Sequence, residues 1–208
     1  MPKTLAQNLA AVLDPIDPTL APAILSGYGL DTSATTNTPQ VIKPVLDLAT
    51  DICFALGATA FARTWSSPGT LEQLGTEAFL ARFNVPNPWD GPWKGHATHI
   101  LDIAFVLQNY REQLSPGQQK SADLLTKHVI AFVNGGSPWA AYKSGTEEGA
   151  MVYYAPEQSQ EDESRFVPDE APGRTGRRHV LQKLMKQDVF DKVMEAWEAL
   201  MKGPQAAK

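Results

Sequence analysis

Residues 41–65 read VIKPVLDLATDICFALGATAFARTW and form the longest apolar pattern in the chain. Apolar side chains recur there every three or four residues, which is the spacing of one face of an α-helix. The only interruption is Pro44, which falls in the first turn, where proline is tolerated. The spacing predicts one long buried helix whose core face comprises Val41, Val45, Leu48, Ile52, Leu56 and Ala60.

Shorter helical patterns lie on both sides of this segment. Residues 3–13 form one, and the pattern resumes at Thr19–Ser26 after two prolines that break it. The apolar segment 100–110, ILDIAFVLQNY, predicts one short helix, and a capping serine followed by proline starts another that spans 115–132. A last helical stripe, broken near Gln187, comprises Val180, Leu184, Val189, Val193, Trp197 and Leu200.

Strand patterns are few. Ala78–Val85 and Met151–Ala155 are the two recognisable ones. Apolar helices with so few strands are typical of one flank of a larger sheet protein. The sequence therefore predicts an α/β fold that is mostly helical, with an incomplete sheet and a single partial domain over 1–208. Within it, the polar segment 156–178, acidic first and basic last, predicts an exposed loop.

Composition excludes several classes of protein. Apolar residues make up 43% of the chain and charged residues 20%, with a formal net charge of -5, which disfavours nucleic acid as a partner. No run approaches about 20 uninterrupted apolar residues, and the start lacks the apolar core of a signal peptide. We therefore expect no membrane span and, for the chain as written, a cytoplasmic location, while secretion of a longer parent protein stays open. Cys53, the single cysteine, excludes an internal disulfide and predicts a small buried apolar side chain.

Two of the four histidines, His96 and His99, lie in the loop ahead of segment 100–110, and Asp102 follows. A histidine on such a loop can act as a general base, because its ordinary pKa of about 6.5 allows proton exchange at neutral pH. Two other interpretations stay open. Both histidines can be surface residues of a proline-rich loop. Alternatively, the three side chains, spaced every three residues, would share a helical face and hold a metal, although no second cluster completes the ligand set.

Trp89 and Trp93 flank prolines in the same loop, ahead of His99. Large aromatic side chains in this place can line an acyl or alcohol pocket. They can equally pack the loop against the body of the protein. The sequence leaves both interpretations open.

The segment 96–107, HATHILDIAFVL, resembles the catalytic-histidine motif of the type-B carboxylesterases, the cholinesterase-like family of α/β-hydrolases. In that motif the histidine is followed three residues later by an acid and then by an aromatic-aliphatic pair. His99, Asp102 and Phe105–Val106 match it in register. The resemblance implies an α/β-hydrolase fold and hydrolysis of carboxylic esters, with no cofactor.

Weaker matches flank this motif in the order that the family has them. Thr50–Phe54 resembles its TD..F helix, and 131–142 is similar to its F-x-x-x-G-x-P … W-P-x-Y run. Met151 then begins a segment similar to the final strand. Together the matches cover about 20–200, nearly the whole chain.

The resemblance implies a role for each residue of the loop. His99 would take the proton from a serine hydroxyl and deliver it to the leaving alcohol. Asp102 would hold the loop, and His96 would lie at the pocket rim. The sequence departs from the family at Ile100, where glycine is usual, and it lacks the nucleophile motif G-x-S-x-G. We therefore expect this chain to be a C-terminal portion, inactive alone, whose serine and glutamate lie in a preceding segment.

A second hypothesis is a non-catalytic binding module of the same family, since some relatives have lost catalysis. It accounts equally for the missing nucleophile. A third is a self-contained helical metal-binding domain. The oligomeric state and the identity of the ester stay open.

Overall fold

The computed structural model describes residues 2–33, 39–67, 69, 77–155, 163–169, 178, 180–181, 184 and 189–203. Its contacts divide the chain into two compact units. We name Met1–Ala60 with Gly173–Lys208 the helical unit, and Phe61–Pro172 the sheet unit. About 55% of the chain is helical and the sheet is small and mixed, which is compatible with the α/β class that the sequence predicts.

Seven α-helices and three strands are defined within the described residues. The helices are α1 Pro2–Leu13, α2 Leu20–Tyr28, α3 Pro39–Thr50, α4 Gly57–Trp65, α5 Leu101–Val106, α6 Pro116–Val133 and α7 Phe190–Lys202. A π-helix, Asp51–Leu56, joins α3 to α4, and a 3₁₀ turn, Arg111–Gln113, lies between α5 and α6. The strands are β1 Ala81–Phe83, β2 Gly149–Tyr153 and β3 Arg165–Pro168.

The long helix predicted over 41–65 is confirmed, with a π-helical turn at its centre. Four of its six predicted core residues are buried, whereas Val41 and Ala60 are half-buried. The prediction that Cys53 is buried is wrong, because its side chain is exposed. The π-helical turn contains an extra residue per turn and so rotates the following face, a change that helical periodicity alone does not reveal.

This helical stretch is also apolar enough to cross a membrane. Among the described residues, Val41–Trp65 alone meets the requirements of length and composition, with a mean hydropathy of 1.6. The core helix of a globular protein passes the same test. A single such helix therefore does not establish a membrane span.

In the helical unit, α1 packs against α7 and α2, and α2 packs against α3. The core is formed by apolar residues from all of these helices, including the buried faces of α1 and of the π-helix. From the predicted C-terminal stripe, Leu184 and Val193 are buried, while the predicted break near Gln187 lies outside the described residues.

In the sheet unit, β2 is the central strand. It pairs in parallel with β1, with Arg82 opposite Val152, and antiparallel with β3. All five residues of β2 are buried. The helix after Ser115 begins as predicted, because the Ser115 side chain accepts a hydrogen bond from the backbone nitrogen of Gln118 at 3.2 Å in a reciprocal capping box.

The strand β3 corrects one prediction. It lies inside 156–178, which the sequence predicts to be an exposed loop throughout. Phe166 and Val167 are half-buried against β2. A segment of four residues among charged neighbours is too short to produce a recognisable strand pattern. The strand β3 forms because it pairs with β2, which is distant in the sequence.

Candidate functional site

The loop that carries both histidines leaves the carboxyl end of β1. Its base is closed by two backbone hydrogen bonds, from the Asn87 nitrogen to the His96 carbonyl at 3.0 Å and from the Gly95 nitrogen to the Asn87 carbonyl at 2.8 Å. His99 follows this closure and immediately precedes α5. In sheets with parallel strands, ligands bind beyond the carboxyl ends of the strands. The loop therefore lies where an α/β protein places a functional site.

The three predicted site residues of the loop lie at the surface and do not form a metal site. His96, His99 and Asp102 are all exposed. His96 lies in a bend and His99 in a turn, so only Asp102 belongs to a helix. The expectation that the three share a helical face is wrong, because α5 begins only at Leu101. Within the described ranges, no group of three ligating side chains is placed to hold a metal.

Ile100, directly after His99, has a left-handed backbone with φ of 68°. This conformation is costly for a β-branched residue and is normally filled by glycine. In the described part of the chain, every non-glycine residue with positive φ falls between 100 and 110, the others being Gln108 and Tyr110. Strained residues of this kind cluster at functional sites. The position where the esterase motif has glycine thus requires a glycine-like backbone here.

Replacing Ile100 by glycine should stabilise the protein. The left-handed backbone costs about 1–3 kcal/mol for an L residue, and the entropy of glycine offsets about 0.5–1 kcal/mol of the gain. Because the Ile100 side chain is 57% exposed, little apolar burial is lost. We expect a net gain of about 1 kcal/mol in urea unfolding.

The matched control is Ile103→Gly, at a position 51% exposed within α5. There the backbone is helical, and glycine should destabilise by about 0.5 kcal/mol. If both substitutions lower the free energy of unfolding, Ile100 is not strained.

Asp102 does not hold the loop through hydrogen bonds. Its carboxylate is exposed and makes none to the residues that the structure describes. It lies in the first turn of α5, where a negative charge interacts favourably with the helix N-terminus. Asp102 is therefore placed for a local interaction with the start of α5.

The two tryptophans behave differently. The Trp89 indole donates a hydrogen bond to the Gln113 side chain at 2.6 Å and makes an edge contact with Tyr110. Trp89 therefore packs the loop. Trp93 is 46% exposed and is the tryptophan free to meet a ligand. An open pocket of about 470 Å³ lies beside the loop, but neither tryptophan nor His99 lines it.

The sequence did not indicate a third histidine, on α6, as part of a site. The His128 Nδ1 lies 2.8 Å from the hydroxyl of Tyr153, the last residue of β2. The rings of His128 and Trp139 meet at an angle, 5.3 Å apart. Burial, with a smaller effect from Lys127, lowers the pKa of His128 below its ordinary value of 6.5. No motif signals this pair, because the two residues come from different elements.

The lowered pKa of His128 predicts a stability that depends on pH. The unfolded chain binds the His128 proton more readily than the folded protein does. The stability contributed by neutral His128 is therefore present above pH 6.5 and is lost as the pH falls from 6.5 through the lower folded-state pKa. We expect His128→Gln to lose less stability than the natural protein between pH 8 and pH 5, measured by urea unfolding.

The comparison with His96→Gln controls for the other titrating groups. His96 is exposed, so this substitution of a histidine removes no buried contact. An equal loss of stability on acidification in the natural protein and in His128→Gln would contradict this role of His128.

The sequence comparisons with known proteins found no match. No protein-family model matches this chain, and no curated protein sequence is similar to it. The resemblance to carboxylesterases therefore stays a prediction from the motif around His99.

Proposed function

We propose that the sheet unit supplies the general-base histidine of a carboxylic-ester hydrolase of the α/β-hydrolase type. The observation that carries the proposal is the position of His99. It is exposed on the loop beyond the carboxyl end of β1, beside the strained Ile100. The motif around His99 is the one that resembles the family's catalytic histidine. The serine nucleophile and the acid of the triad would come from a preceding segment.

The chemistry needs a neutral imidazole that can reach a second chain segment. His99 would accept the proton of the serine hydroxyl as its oxygen attacks the ester carbonyl. It would then return that proton to the leaving alcohol. An exposed imidazole is accessible to a segment that docks on this loop. The exposed ring of Trp93, on the same loop, would lie beside the small ester substrate.

The test is hydrolysis of a short-chain aryl ester by the full chain, alone and with the polypeptide encoded upstream of it. We expect turnover only with the added segment. His99→Ala should reduce that turnover by several orders of magnitude, as loss of a triad histidine does. The matched control is His96→Ala, an exposed histidine of the same loop, which should retain most of the activity.

Two outcomes would contradict the assignment. Equal turnover in His99→Ala and in the natural protein would remove His99 as the base. A stable complex of the two segments without turnover would remove the hydrolase proposal itself.

A second candidate function, a non-catalytic binding module, is favoured by one feature of the same loop. Ile100, Ile103 and Leu107 are each more than half exposed. Ile103 lies on α5, and Leu107, the C-cap of that helix, follows four residues later. Apolar side chains grouped at a surface are typical of a binding site. This function predicts a cooperative thermal transition of the isolated chain and binding without hydrolysis.

A further inference from the structure

The end of α6 carries an Asn-Gly pair at the surface. Asn134 is the C-cap of the helix, and Gly135 follows with a left-handed φ of 77°. All residues from 132 to 137 are exposed. Of the six asparagines in the sequence, Asn134 alone precedes a glycine. We propose that Asn134 is a site of spontaneous deamidation, and that opening of the helix cap controls its rate.

The reaction needs only the chain and water. The backbone nitrogen of Gly135 attacks the side-chain carbonyl carbon of Asn134 and forms a new C–N bond. The Gly135 nitrogen gives up its proton, the bond from that carbonyl carbon to the side-chain nitrogen breaks, and this nitrogen takes up a proton and leaves as ammonia. A five-membered succinimide remains. Water then opens the ring at either carbonyl and yields aspartate or isoaspartate. Glycine favours ring closure because it has no Cβ to hinder the approach.

In the closed cap, both reacting groups are held by hydrogen bonds. The Asn134 side-chain nitrogen donates to the Ile130 carbonyl at 2.8 Å. The Gly135 backbone nitrogen donates to the Phe132 carbonyl at 2.9 Å, and the next nitrogen, that of Gly136, donates to Ala131 at 2.8 Å. This arrangement is the Schellman motif that ends many helices. Attack by Gly135 requires the motif to open.

The cap has little to keep it closed. Phe132 and Val133, the last two residues of the helix, are 56% and 75% exposed. The Phe132 ring makes an edge contact with the ring of Phe79. Helix ends with few buried contacts open far more often than the whole protein unfolds. Opening of the last turn therefore exposes the pair without global unfolding.

The product would weaken the same helix end. A carboxylate at position 134 carries a negative charge at the C-terminus of α6, where the helix dipole disfavours it. It also lacks the N–H group that donates to Ile130. Each conversion therefore makes the last turn open more readily.

The test is incubation of the full chain at constant, mildly alkaline pH, followed by peptide mapping that separates aspartate and isoaspartate products. Asn109 is the internal control, because it is also exposed but precedes Tyr110. We expect product at Asn134 well before product at Asn109. Equal rates at the two positions, or no product at Asn134, would overturn the proposal.

Control of the rate by the cap has its own test. Ala131→Gly leaves the Asn-Gly pair intact and promotes opening of the last turn. We expect deamidation at Asn134 to become about fivefold faster, which is the change that an alanine-to-glycine substitution makes to a helical equilibrium. An unchanged rate in Ala131→Gly would show that cap opening does not control the reaction.

Discussion

Asp51→Ala is expected to destabilise the helical unit by about 3 kcal/mol or more. Asp51 is fully buried at the start of the π-helix. Its carboxylate accepts a hydrogen bond from the Tyr28 hydroxyl at 3.0 Å and forms an ion pair with the Arg178 guanidinium at 2.5 Å. Removal of the carboxylate leaves a cavity at position 51. The buried Tyr28 hydroxyl loses this acceptor, and the Arg178 guanidinium loses this anion. The Arg178 side chain is 28% exposed and can turn partly towards water. We therefore expect a loss of stability at the lower end of the range of about 3–5 kcal/mol that is found when a buried ion pair is broken.

The measurement is urea unfolding, combined with hydrogen exchange resolved to peptides of α1 and α7. Since the two units are separate compact bodies of contacts, exchange should increase in the helical unit. The matched control is Asp47→Ala, four residues earlier on α3. Its ion pair with Lys43 is exposed and should contribute no more than about 1 kcal/mol. Similar losses in the two variants would show that the buried pair does not stabilise the π-helical turn.

Phe105→Ala is expected to destabilise the sheet unit by about 3–5 kcal/mol. Phe105 is fully buried on α5, and its ring meets that of Phe83 edge-on at 5.2 Å. It joins the helix that follows the histidine loop to the core formed by β1, β2 and α6. Loss of the ring removes apolar burial and leaves a cavity under the loop.

Leu107→Ala is the control for Phe105→Ala. Leu107 lies two residues further on and is 62% exposed, so its truncation should change stability by no more than about 0.5 kcal/mol. The proposed function adds a second expectation: Phe105→Ala should lower turnover by the complemented chain, because His99 lies on the loop that precedes α5. A loss below about 1 kcal/mol in Phe105→Ala would show that α5 packs too loosely to position this loop.

Local chemistry explains why much of the helical structure was predictable. A serine cap with a following proline predicts the start of α6, and the apolar repeat predicts the helix over 41–65. Both signals arise within a few residues, so no knowledge of distant contacts is needed. The motif around His99 is also a local pattern, because the Asp follows the histidine by three residues, and the role that it predicts for His99 stays a prediction.

The features that the sequence did not predict depend on partners that are far apart in the sequence. Asp51 and Arg178 are 127 residues apart, and His128 and Tyr153 are 25 apart on different elements. A four-residue strand such as β3 forms only because β2 offers a pairing edge. Such contacts leave no periodic trace in a single sequence.

The sequence by itself determined the helices and the central strand, because capping and periodicity are properties of neighbouring residues; it predicts His99 as a base from motif spacing. The tertiary structure alone decided which side chains meet. It exposed Cys53, imposed a left-handed backbone on Ile100, assigned Trp89 to packing, and paired Asp51 and His128 with their partners. These features follow from the packing of whole elements, in which burial and partner geometry outweigh local preference.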